Sequence, residues 1–303
     1  MPTASEITVH EVLDKFDGDF SRVATAIANG EFALWIGSGI SRKAPSLGGL
    51  IDLAIEHLRV RALHPDTEAT YMPTFREALE ISELDVATLE EDFEKPFSEW
   101  TQHQAIKEKL WGKYSRLLDV RVEGKTSDFI LWEAIDIRAA FANPPRPAAE
   151  HLCIAVLVME GAIKEMASGN WDGFIEAAVD RLAGGGGGVL QAVVDPNHLR
   201  TAAGAARLLK FHGCIVHATA EPGVFRDYLT GSHTQVLEWA DKPLFAAMRA
   251  AVNALAANHK SMVMGLSIQD MNLQGVFPKR SIPIPGLGRP TRMPKATYSA
   301  RML

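Results

Sequence analysis

The run Phe32-Ala33-Leu34-Trp35-Ile36, five apolar residues between Gly30 and Gly37, constrains the chain more than any other stretch. A strand with one face in water alternates polar and apolar side chains, whereas an unbroken apolar run suits a strand buried on both faces of a parallel sheet. It passes directly into Gly37-Ser38-Gly39-Ile40-Ser41 and then into the apolar-periodic segment Leu47 to Leu58. The order is strand, glycine turn, helix.

The rest of the chain repeats this grammar. Thr8 to Ala28 reads as two short helices, with Val9, Val12, Leu13 and Phe16 on one apolar face and Phe20, Val23, Ala24 and Ile27 on another. Strand-like runs recur at Ala162 to Ser168, Val189 to Val194, Leu208 to Phe211 and Ser261 to Gly265. Helical stretches from Ala148 to Glu160, from about Asp172 to Leu182 and from Phe245 to Asn258 lie among them. Strands alternating with helices predict an α/β protein built on a Rossmann-like doubly wound parallel sheet.

From about Arg59 to Pro147 strand-like runs are missing, and helical periodicity shows in Phe75 to Ile81 and Ala105 to Leu118. This reads as a helical insertion, closed by Pro144-Pro145-Arg146-Pro147 because consecutive prolines cannot continue a helix. The expected organisation is a sheet domain from 1–58 and 148–277, an insertion at 59–147 and a tail at 278–303. That tail holds five prolines, six Lys or Arg and no acidic residue, and is expected not to fold on its own. Gly184 to Gly188 is read as a flexible surface connection.

Charge and cysteine usage narrow the functions. Lys plus Arg number 31 against 37 Asp plus Glu, a net charge of -6, so direct nucleic-acid binding is not expected. Cys153 and Cys214 offer neither a disulfide framework nor a CxxC pair for structural zinc, which points to a reducing cytoplasm. His151, His198, His217, His233 and His259 lack metal-ligand spacing, so no metal site is expected. Leu152 to Met159, the longest apolar run, is far short of the roughly 20 residues of a membrane span, and the first residues lack an export signal's apolar core. Neither export nor membrane anchoring is expected.

Four predicted strand ends finish in small or polar residues able to do chemistry: Gly37 to Ser41, Asn170-Trp171-Asp172, His212-Gly213, and Gly265 to Asn272. In a parallel sheet these loops share the carboxyl edge, where ligands bind at the topological switch point. Glycines at Gly37 and Gly39 let a backbone approach a pyrophosphate, and the following helix offers unpaired N–H groups. The dinucleotide fingerprint GxGxxG is incomplete, since Arg42 stands at its third glycine, which weakens a hydride-transferring dehydrogenase.

On these four segments the sequence resembles the sirtuin-like (silent information regulator type) family of NAD-consuming proteins. Gly37-Ser38-Gly39-Ile40-Ser41 is similar to its phosphate turn, Asn170-Trp171-Asp172 to its Asn-aromatic-Asp segment, and Lys210-Phe211-His212-Gly213 to its His-Gly motif. Gly265-Leu266-Ser267, with Asp270 and Asn272, is similar to its late nucleotide-binding loop. The likeness covers about Phe20 to Phe277. It departs from sirtuin deacylases in lacking their zinc-binding CxxC pairs, and in having Ser168-Gly169 before Asn170 where threonines are usual.

With a helical insertion in place of the zinc module, the chain resembles the bacterial branch that hydrolyses NAD in antiphage defence. The resemblance implies an NAD glycohydrolase with His212 as base and Asn170 and Asp172 orienting ribose and water. It implies phosphate contacts from Gly37, Ser38, Gly39 and Ser41, and adenosine contacts from Gly265, Ser267, Asp270 and Asn272. It also implies NAD as the partner molecule, with a homo-oligomer or a sensor protein as further partners. An NAD-dependent protein deacylase, a non-catalytic NAD or ADP-ribose sensor and a purely structural domain are the alternatives. Residue by residue, Asn170 also suits a helix cap and Asp172 a first-turn dipole partner; His212 suits a structural histidine, and Ser267 and Asn272 suit turn positions. Lys210, Trp171 and Cys214 read as packing or surface residues.

Overall fold

The computed structural model describes residues 8–41, 45–142, 146–185, 187–201, 206–266 and 276. Five strands, β1 (Phe32–Ile36), β2 (Glu165–Ser168), β3 (Leu190–Val193), β4 (Ala206–Lys210) and β5 (Lys260–Met264), form one sheet in the order β3-β4-β2-β1-β5. Every pairing is parallel, with Leu34 opposite both Met166 and Met262, and Met166 opposite Leu208. The fold is α/β and Rossmann-like.

The apolar run of β1 is explained by its place. Ala33, Leu34, Trp35 and Ile36 are buried because layers cover both faces. Side chains alternate along a strand. Leu34, Ile36, Met166 and Leu208 accordingly meet the helices Ala149–Met159 and Phe174–Leu182 on one face, while Ala33, Trp35, Ala167 and Leu209 meet the helix Ala246–Asn258 with Trp239 and Phe245 on the other.

This winding sets the switch point. The chain leaves β2 through the Phe174–Leu182 helix on the first face and heads for edge strand β3. It leaves β4 in the other direction and reaches β5 through the Ala246–Asn258 helix on the second face. Since β2 and β4 are neighbours, the chain leaves their carboxyl ends toward opposite faces, the topological position at which open parallel sheets bind ligands.

The helical insertion shares an element with the sheet domain. Its entry helix runs from Leu47 past Leu58 to Ala62, so a boundary at 58 falls inside one helix whose apolar stripe continues through fully buried Ala62. The helix packs on Glu68–Glu80 and holds a ring cluster in which Phe93 lies 4.9 Å from Phe75 and 5.5 Å from Trp100. Arg59 donates to the Phe93 carbonyl at 3.0 Å and Glu56 accepts the Phe97 N–H at 2.8 Å. The periodicity of Ala105 to Leu118 resolves into two helices, His103–Trp111 and Tyr114–Leu117, parted at Gly112 where a glycine weakens helix continuity. Asp128 takes both Nε and Nη2 of Arg226, at 2.6 and 2.8 Å, fastening the insertion to the segment after β4. No strand interrupts the insertion among the described residues.

Ahead of β1, the helices Val9–Asp17 and Ser21–Ala28 form as expected, the first started by a reciprocal Thr8–Glu11 capping box. Their apolar faces remain largely open, with Val9, Leu13, Phe16 and Phe20 exposed. The described part of the five-glycine run lies in exposed turns, and a Cβ added at Gly184, Gly185, Gly187 or Gly188 would touch nothing. The prolines expected to close the insertion, Pro144 and Pro145, and the tail 278–303 lie outside the described residues. No helix among the described residues is long and apolar enough to cross a membrane.

Candidate active site

The glycine turn comes first. Beyond β1 the chain makes a short 3-10 turn, Ser38–Ile40, rather than entering a long helix directly; the Leu47–Ala62 helix begins later, capped by Ser46, which accepts the Gly49 N–H at 3.1 Å. The Gly37 N–H donates to the Met264 carbonyl at 3.0 Å and the Gly39 N–H to the Gly265 carbonyl at 2.9 Å. A Cβ on Gly37 would lie 2.4 Å from the Gly265 carbonyl oxygen and one on Gly39 2.8 Å from the Gly265 Cα. Gly265 itself has φ +62°, and its Cβ would stand 2.7 Å from the Ile40 nitrogen. These three glycines therefore interlock two backbones, whatever else the turn does. Ser38 and Gly39 remain exposed at its outer side.

Ser41 ends the turn, is buried, and leads into the polar centre of the site. Its Oγ lies 3.2 Å from Asn170 Nδ2, which donates to it, and 3.1 Å from His151 Nε2. Asn170 is set by its own neighbourhood, since its backbone N–H donates to the Ser168 hydroxyl at 3.1 Å. The Ser168-Gly169 pair thus has a defined purpose. A Cβ at Gly169 would meet Phe211 Cζ at 3.2 Å and His212 Nδ1 at 3.5 Å, so the missing side chain lets the His212 ring lie against the residue preceding Asn170.

The helix after Asn170, Phe174–Leu182, has Gly173 at its N-cap and no side-chain cap. Asp172 Oδ1, one residue before that N-cap, accepts the Phe174 N–H at 3.1 Å, whereas the Asn170 side chain reaches across to Ser41. Asn170 therefore does not cap the helix.

His212 sits one residue beyond the last neighbour of β4, its ring 4.6 Å from Phe211 and 6.4 Å, edge-on, from Trp239. Its backbone is pinned because the Thr230 N–H donates to the His212 carbonyl at 3.0 Å. Gly213, at φ +86°, allows the sharp turn that follows, and a Cβ there would come within 2.6 Å of the Tyr228 carbonyl oxygen.

Beneath these residues lies a buried charge. Lys210, 2 % exposed, sends its ammonium to the Asp172 carbonyl oxygen and lies 3.4 Å from Glu176. Burial alone would lower its pKa, but Glu176, Cys214 and Asp172 together hold it above the ordinary lysine value. Burial pushes the Cys214 thiol up, with Lys210 opposing. Lys210 thus does more than pack: it ties the end of β4 to the Asn170–Asp172 loop. Trp171 completes the tie by donating Nε1–H to the Thr230 carbonyl at 3.1 Å.

The structure brings Ser41 to Asn170 and lays the His212 ring against Gly169 past the carboxyl ends of β1, β2 and β4, with Asp172 in the Asn170 loop and Gly37, Gly39 and Gly265 interlocked beyond β1 and β5. Ser267, Asp270 and Asn272 lie outside the described residues. His151 joins this buried cluster at Ser41, and sequence reasoning passed over it. Its signal was a buried-side histidine in the largely apolar Ala149–Met159 helix, three residues after the N-cap Ala148, where its ring takes the Ala148 N–H. Among the described residues no group of three or more His, Cys, Asp or Glu could hold a metal ion. No protein-family model matches the chain, and no curated protein matches it either.

Proposed function

We propose that the chain hydrolyses NAD at the bond between nicotinamide and ribose. The observation that carries this reading is the meeting of three loops distant in sequence: the Ser41–Asn170 hydrogen bond joins the ends of β1 and β2, and the His212 ring at the end of β4 lies against Gly169. The resemblance to the sirtuin-like family, and within it to the NAD-hydrolysing branch, names the substrate.

Cleavage passes through an oxocarbenium-like ribose, so a site must hold the substrate, fix the ribose and present water to C1′. Asn170 spends one amide proton on Ser41 and keeps Oδ1 and a second N–H for ribose and water. His212 accepts a proton as water attacks C1′. The C1′–N bond breaks toward the pyridinium nitrogen, releasing neutral nicotinamide and ADP-ribose. The exposed outer side of the Ser38-Gly39 turn takes the pyrophosphate, and the loop after Gly265 takes the adenosine half.

The test is incubation with NAD, with and without an acetyl-lysine peptide, followed by chromatography. ADP-ribose in both arms is the expected result. Acetyl-ADP-ribose formed only with peptide would replace the reading with a deacylase, and unchanged NAD in both arms would remove the enzyme.

A further inference from the structure

His151 lies on the first turn of the helix that precedes β2, on a different element from every residue of the proposed chemistry and 110 positions from Ser41. Its ring is 2 % exposed and packs 5.2 Å from the Phe174 ring. A buried imidazole on a helix whose other inward residues are Ile154, Ala155 and Val158 costs desolvation unless both nitrogens are engaged. Both are. The Ala148 N–H donates to Nδ1 at 3.1 Å, so Nδ1 carries no proton and a neutral ring must hold its proton on Nε2. Nε2–H then donates to Ser41 Oγ at 3.1 Å.

The consequence falls on Ser41. A serine hydroxyl has two acceptor positions and one proton. Asn170 Nδ2 fills one acceptor position and His151 Nε2 the other, leaving the hydroxyl proton a single outward direction. With Asn170 as its only partner, the hydroxyl could exchange among staggered wells and take the amide with it. Burial keeps the His151 ring neutral by lowering its pKa, against the opposing pull of Asp172, Glu150 and Glu176.

We propose that His151 is a positioning residue: it locks the Ser41 hydroxyl, and through it the Asn170 amide, in the orientation used for cleavage at the ribose. The kinetic part of this inference rests on the NAD reading above; the hydrogen-bond part does not.

Two measurements on the full chain separate them. Ring nitrogen NMR of His151 without NAD should show the Nε2–H tautomer, and Ser41→Ala should shift Nε2 while leaving Nδ1 nearly unmoved. An Nδ1–H tautomer, or a spectrum indifferent to Ser41→Ala, overturns the lock. In kinetics, His151→Ala should lower kcat for nicotinamide release up to about 100-fold with KM for NAD close to the parent value, as a small misplacement of reacting groups does. His151→Gln, whose amide keeps a donor near the Nε2 position, should recover part of the loss and guards against a His151→Ala protein that does not fold. The double variant His151→Ala/Ser41→Ala should be scarcely worse than the worse single one. Unchanged kcat in His151→Ala, or fully additive losses, would overturn the positioning role. A parent chain that releases no nicotinamide overturns the NAD reading and the kinetic half of this one, and the ring spectrum then decides whether His151 holds Ser41.

Discussion

The carboxyl edge of the sheet is built by opposite means on its two sides. Beyond β1 and β5, three glycines let two backbones interlock, and the contact consists of absent side chains. Beyond β2 and β4, the loops are held by side chains: Ser168 on the Asn170 N–H, Lys210 on the Asp172 carbonyl, Trp171 on the Thr230 carbonyl. Among the described residues the first side is built of glycine backbone with the hydroxyls of Ser38 and Ser41, and it fails when atoms are added. The second carries Asn170, Asp172, Lys210 and His212, and it fails when atoms are removed.

The largest effect expected from this contrast is on His212. General-base assistance is worth about 100- to 10,000-fold in rate, so His212→Ala should lose nearly all nicotinamide release while NAD affinity, which the proposal places on the phosphate and adenosine contacts, changes little. Turnover and calorimetric titration with NAD on the same preparation check both halves. Parent-rate release by His212→Ala would end the assignment of chemistry to the β4 loop.

Next comes the buried ammonium. Removing one member of a buried ion pair typically costs about 3–5 kcal/mol, whereas replacing both with apolar residues is often neutral. Lys210→Met should therefore destabilise strongly, and Lys210→Met/Glu176→Leu should regain much of the loss, as read by urea unfolding. The Lys210–Asp172 carbonyl contact is lost in both, so the double variant should regain stability without regaining the Asn170–Asp172 loop geometry, and its nicotinamide release should stay low. Recovery of both together would mean that Lys210 only packs.

How much of this the sequence carried follows the same division. β1 and the parallel sheet were legible because an unbroken apolar run reports burial on both faces, a property of the strand itself. Asn170 and His212 were legible as strand-end polar residues. The roles of Gly37 and Gly39 were half legible: a glycine shows that something comes close, and only the fold shows that here it is the Gly265 backbone. His151 was illegible because its partner Ser41, and the Asn170 that shares that hydroxyl, come from other elements, and ligand spacing was the wrong question to ask of it. Lys210 was read only in part for a related reason, since nothing local shows that the lysine closing a strand ends against the Asp172 carbonyl and Glu176.

On the glycine side, Gly37→Ala should cost about 1–3 kcal/mol, the usual range for overpacking, because its Cβ would stand 2.4 Å from a backbone oxygen that cannot step aside. Gly39→Ala should cost less, its closest contact being 2.8 Å. Gly187→Ala, where a Cβ meets nothing, is the control and should be near neutral. Thermal melts rank the three. If Gly37→Ala and Gly39→Ala melt with Gly187→Ala yet bind NAD poorly, the glycines serve the pyrophosphate rather than the interlock.

The smallest effect concerns protons, and it separates the two sides once more. Burial is the leading cause that holds His57, His151 and His217 below the ordinary histidine value of 6.5. The unfolded chain, with ordinary histidines, then binds more protons than the native chain below about pH 6.5, so stability must fall as the pH drops through that value. Above it both states are deprotonated at these rings and the histidine contribution is complete and flat. Glu56, held low chiefly by Arg59, and Asp128, where burial pulls upward but the hydrogen bonds and charge of Arg226 prevail, lose their contributions only in the carboxylate range, so the two acid limbs are distinct. A melting temperature that declines between about pH 7 and 5.5 is expected, and His151→Gln, which cannot protonate, should decline less. His151 sits on the side-chain-built half of the edge, so an equal decline in parent and variant would place the proton-sensitive ring elsewhere, at His57 on the Leu47–Ala62 helix or at His217 beyond β4.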